Sequence, residues 1–235
     1  MGILQVFDTF LEDTPSNSKP QLGSIYWVPT PDTDEVTRIL EVERATPDEH
    51  SITNFEITQI NKTHFKSRQR LPIKRLNLGD TEEIILTKGK KRPVVILSAI
   101  HTSNIDTINS GTERKLASNL GKTTYLVAPC FSVSSMLNPG TFGPILVARI
   151  RALQYPHFFC LPDPKNPDEP GSIIRLDRIF PTYLGLCCTP MEKKLHPEPF
   201  EVLLSQFSIV MNDKCAYKEP YELVKTLAQD ALPTE

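Results

Sequence analysis

Four cations open the stretch "TKGKKRPVVILSA", Thr87 to Ala99: Lys88, Lys90, Lys91 and Arg92, followed at once by Pro93 and an apolar run. Proline disfavours the helical conformation in the residue before it, so Arg92 is held extended at the mouth of a strand. Two readings of that arginine are open. It marks where water ends and core begins, or it is fixed rigidly for chemistry. The surrounding charge admits a polyanionic partner. Between Lys62 and Arg92 stand ten Lys/Arg and three acids (Asp80, Glu82, Glu83), a net of +7 inside a chain whose total is −2. Within that window "KTHFKSRQRLPIKR" has no acid and carries Phe65 among its cations. Cations with an interleaved aromatic suit single-stranded nucleic acid, whose backbone takes the charge and whose bases take the ring. A solvated basic loop is the plainer explanation of the same run.

Other chemistry-bearing residues are scattered. Arg175, Asp177 and Arg178 lie in "SIIRLDRIFP"; Arg175 and Asp177 share one strand face and read as a surface ion pair. His157, after Pro156, opens an apolar run and reads as a structural histidine rather than a general base. Cys130, Cys160, Cys187, Cys188 and Cys215 are odd in number and show no CxxC spacing. Most sit in apolar runs, as buried free thiols of a reducing cytosol would. A zinc site needs paired spacings that are absent, and the histidines do not cluster, so neither metal nor other cofactor is expected.

The elements that must position these residues are short. The chain has 235 residues, 39% hydrophobic and 23% charged, enough for one large domain or one domain with long insertions. Proline, at 21 residues against 10 glycines, argues for short strands and fixed loops. Residues 1–21 read as a loosely attached arm. Strands are expected at 22–29 ("LGSIYWVP"), within 51–60, at 82–87, 93–99, 123–130, 156–162 and 172–181, with "KGKK" turning the third into the fourth. "GPILVARIRALQ" suggests a short helix. Phe200, Leu203, Leu204, Phe207 and Val210 recur at helical spacing, and "PYELVKTLAQDAL" gives a last amphipathic helix. Strands with terminal helices make a mainly β, α+β domain curled into a small barrel. Several strands are apolar on both faces and need cover on both sides. No apolar run could cross a bilayer and no secretory leader is read, so a cytoplasmic protein is expected.

Four segments in order resemble the MazF/PemK-like toxin family. "GSIYWV" is similar to its opening strand, "KRPVVILSA" to its "RP-V-V-V-L-S" signature, "YLVAPC" to the next strand, and "GSIIRLDRIFPTYLG" to the strand leading to "D-Q-I/V-R". The resemblance covers about half of residues 22–215; the rest are insertions at about 30–86, 100–122 and 133–155, with residues 217–235 as a further helix. It implies an SH3-like barrel, usually a homodimer, that cleaves single-stranded RNA without metal, and an antitoxin whose tail blocks the RNA groove. It makes Arg92 the catalytic arginine. As a ribose 2′-OH attacks phosphorus, charge builds on the phosphoryl oxygens, and a preorganised guanidinium with planar, paired donors stabilises it. Lys88, Lys90 and Lys91 become RNA-binding, with DNA a possible alternative. The family's hydroxyl position is Phe131 here; Ser132 stands one residue on and would need a bulge or a strand end to face Arg92. Where many members carry an acid before the arginine, this chain has "LTKGKK". Those departures leave a second expectation open: a catalytically degenerate module that binds nucleic acid or protein.

Overall fold

The computed structural model describes residues 2–32, 36–44, 53–66, 78–79, 81–100, 122–133, 142–229 and 232. The chain divides into two compact units, the larger of residues 1–29 and 91–235, the smaller of Thr30–Lys90. The fold is mainly β with helices, the α+β class expected from the sequence.

In the larger unit the sheet follows the order β1 (Leu11–Asp13), β11 (Thr189–Leu195), β2 (Ser24–Pro31), β6 (Gly89–Ile100), β7 (Thr124–Ser132), β9 (Pro170–Arg175), β8 (Phe158–Pro162). It curls into a half-barrel. β10 (Phe180–Thr182) also pairs with β7. Strands β2 and β6 run across the division into the smaller unit.

Alternation explains both cores. On β6, Val95 and Leu97 enter the main core, whereas Val94 and Ile96 enter a smaller cluster with Tyr26, Val28 and Val127. Successive strand residues point to opposite faces, so an unbroken Val-Val-Ile-Leu run needs two covers. Cross-strand partners shift between Ile96–Val127 and Ser98–Leu126, a bulge at Leu97.

Three helices close the main core. The first, α1 (Pro144–Arg151), starts on proline and buries Val147 and Ile150. The second, α2 (Pro197–Asn212), also starts on proline and buries Val202, Leu203 and Gln206; Asp213, at φ 54°, ends it in the left-handed conformation. The third, α3 (Lys218–Ala228), buries Tyr221, Val224 and Ala228. Ser205 Oγ donates to Glu201 O at 2.9 Å and accepts the Tyr217 N–H at 3.2 Å, fixing the turn between α2 and α3.

Several details differ from the sequence reading. Within residues 1–21, Ile3, Leu4 and Phe10 are core, and Leu11 pairs with Leu195 across the β1–β11 edge. The "KGKK" hairpin does not form: β5 (Ile84–Leu86) pairs with β3 (Arg38–Arg44), while β6 pairs with β2 and β7. The expected strand 172–181 is broken by a single 3-10 turn, Leu176–Arg178, into β9 and β10. Residues 67–77 of the basic window and 101–121 of the second insertion lie outside the described residues. No helix among the described residues is long and apolar enough to cross a membrane.

The smaller unit is a three-stranded antiparallel sheet, order β4 (Thr53–Gln59), β3, β5. Ile39 is fully buried. Buried His64 pins the segment after β4. Its Nδ1 accepts the Asn61 N–H at 2.9 Å and its Nε2 lies 2.7 Å from Glu41 Oε1. With both ring nitrogens engaged, this dyad serves structure.

Candidate anion-binding site

The β6–β7 ladder fixes the neighbourhood of Arg92. Its last pair is Val94–Pro129. Neither Pro93 nor Pro129 has an N–H to give, so the two strands stop sharing hydrogen bonds there. Carrying the antiparallel register two residues further sets Arg92 level with Phe131, on the same face. The guanidinium carbon of Arg92 lies 4.3 Å from the Phe131 ring centroid. Stacking on an aromatic face holds a guanidinium by its plane and leaves its edge available. The Arg92 side chain makes no hydrogen bond or ion pair among the described residues.

A second guanidinium reaches the same ring. Arg175 is directly paired with Phe158 across β8–β9, and Ile173, two residues before it, is paired with Phe131 across β7–β9. Arg175 therefore shares the Phe131 face, with its guanidinium carbon 5.3 Å from the Phe131 centroid and 5.9 Å from that of Phe158. It is not open like Arg92: its Nε donates to Asp177 Oδ1 at 3.0 Å and its Nη2 to Asp177 Oδ2. The 3-10 turn that interrupts the strand turns Asp177 back to meet it. Arg178 Nε stands 3.7 Å from the same carboxylate. Arg175 and Arg178 thus share one acid, and Arg92 meets Arg175 over the same ring. Like charges gathered on an aromatic floor repel one another unless an anion joins them.

The other expected residues fall elsewhere. Ser132 is exposed and pairs with Ser172 in a regular β7–β9 register. No bulge re-aims it, so alternation turns it to the face opposite Phe131 and Arg92. Lys91 is exposed in the larger unit, on the strand face opposite Arg92. Lys88 and Lys90 belong to the smaller unit. Lys88 lines a cavity of about 390 Å3 there, together with Asp32, Arg38, Val36, Ile57 and Leu86. His157 is exposed; its backbone carbonyl accepts the Leu176 N–H at 2.8 Å, so it braces the 3-10 turn.

The cysteines play no part in the cluster. Burial pushes the Cys130 thiol up to about 12, and burial, slightly offset by Arg151, pushes Cys160 up to about 12 as well. Both are neutral and inert as nucleophiles. Among the described residues no group of three or more His, Cys, Asp or Glu could hold a metal ion. The arrangement can bind an anion, and it offers that anion planar donors beside an aromatic surface. Compared with protein-family models, curated proteins and solved structures, the chain finds no match in any of the three.

Proposed function

We propose that the chain is a PemK/MazF-like half-barrel that binds single-stranded RNA, taking the phosphate backbone on the Arg92–Arg175 pair over Phe131. The observation that carries this reading is the Arg92 guanidinium, stacked on Phe131 with its hydrogen-bonding edge uncommitted. A phosphate diester supplies the anion and acceptor oxygens that such an edge fits. The 2′-hydroxyl has no dedicated partner in the cluster, so single-stranded DNA serves as a close competitor.

Metal-independent cleavage of the RNA is the second reading. The same open guanidinium favours it, because it could stabilise a phosphorane-like transition state. Phe131 counts against it, since an aromatic ring stands where the resembling family places a hydroxyl, and Ser132 is on the other face. Binding without turnover is therefore the function the geometry supports best.

The test is fluorescence anisotropy with a labelled single-stranded RNA, in chelator, over a salt series, with a gel for products. The expected result is binding that weakens linearly on a log–log salt plot, with Arg92→Ala losing at least about tenfold and no product formed. Product that disappears with Arg92→Ala moves the assignment to the nuclease. Binding unchanged by Arg92→Ala removes both.

A further inference from the structure

We infer that the free edge of β4 is a docking strand for an extended peptide segment of another protein, one that alternates apolar and basic residues. The inference is independent of the RNA reading and lies wholly in the smaller unit.

A strand at the edge of a sheet presents unpaired N–H and C=O groups, and natural proteins guard such edges with prolines, lysines, bulges or short length. The two edges of this sheet differ. β5 is three residues long and so protects itself. β4 runs seven residues, "TNFEITQ", in unbroken register with β3, without proline, lysine or bulge. Asn54 to Gln59 make no backbone hydrogen bond outside the ladder among the described residues.

The side chains of β4 say which strand would fit. Phe55 and Ile57 share one face and are 60% and 58% exposed. Ile57 begins a row, Ile57–Leu40–Ile84, that crosses the sheet, and none of the three is fully buried. On the other face Glu56 is exposed and sits directly opposite Glu41 in the β3–β4 register. Glu41 is already engaged by His64, so the exposed Glu56 is the carboxylate that a cation on a new neighbouring strand would meet. An incoming strand therefore meets its backbone demand at the edge, apolar residues beside Phe55 and Ile57, and a cation beside Glu56. This is strand addition, in which main-chain bonds supply affinity and alternate side chains supply specificity. A second copy fits less well: its own β4, "TNFEITQ", carries no cation to set beside Glu56 in any register.

The experiment uses the full chain and two labelled probes, an alternating Val/Lys peptide and an alternating Val/Glu peptide of the same length. The Val/Lys peptide should bind at least about tenfold more tightly than Val/Glu. Glu56→Lys should reverse that preference, and Ile57→Lys should abolish binding of both while circular dichroism stays native. N-methylating alternate amides along one edge of the Val/Lys peptide should abolish binding, and along the other edge leave it intact. Equal binding of both peptides, indifference to Glu56→Lys or indifference to N-methylation overturns the proposal. So does a concentration-dependent dimer of the chain alone that Ile57→Lys disrupts, since the edge would then serve a second copy.

Discussion

Phe131 is the residue that most changes the meaning of Arg92. In the sequence it stands as a departure from a pattern; in the fold it is the surface on which the guanidinium rests. Phe131→Leu keeps bulk and removes the ring's attraction for a cation, which is worth about 0.5–2 kcal/mol. RNA affinity should fall about threefold to tenfold, with the melting temperature nearly unchanged, when the two are measured side by side. Arg92 was legible because Pro93 follows it. Arg175 was legible as the partner of Asp177, but its approach to Phe131 depends on the register of three strands distant in sequence. Residue chemistry also sets the thiol pattern. Cys187 is exposed, whereas Cys130 and Cys160 are buried with thiols pushed up to about 12. Iodoacetamide followed by peptide mass mapping should label Cys187 first and leave Cys130 and Cys160 unmodified until denaturant is added.

At the scale of elements, strands with apolar residues on both faces were the easiest to read, because "PVVIL" and "YLVAP" admit little else. β3, "RILEVER", passed unread: its charges look like solvated sequence, although Ile39 anchors the smaller sheet. The break between β9 and β10 was also invisible, since "SIIRLDRIFP" has neither glycine nor an internal proline to signal a turn. Two substitutions test the central strands. Leu97→Ala, at the bulge and 2% exposed, should cost about 2–5 kcal/mol in urea unfolding, whereas Ile100→Ala at the exposed strand end should cost under about 0.5. Gly171→Ala tests the β8–β9 connection, where an added Cβ would lie 2.6 Å from Asp163 Cα. Backbone cannot yield as a flexible side chain does, so a loss of roughly 1–3 kcal/mol is expected.

For the whole molecule, each core cluster draws its buried residues from the larger unit alone. Replacing Thr30–Lys90 by a short hairpin turn should therefore leave a folded protein that still binds RNA; loss of cooperative unfolding would refute this. Stability should also depend on alkaline pH. Cys130 and Cys160 are raised from 9.0 to about 12, and burial raises Tyr26 and Tyr221 from 10.0. The folded state then holds protons that the unfolded chain gives up, so this stability is complete below pH 9 and falls as pH rises towards 12. Thermal melts by circular dichroism should be level to about pH 8.5 and decline above it. The β1–β11 pairing carries a consequence of another kind. Leu11 cannot meet Leu195 until nearly the entire sheet has left the ribosome. At about 5–20 residues per second, Ile3, Leu4 and Phe10 remain without their core for roughly 10–40 s of synthesis. That interval makes the newborn chain a natural client for chaperones that hold apolar segments, and slower translation should raise its demand for them.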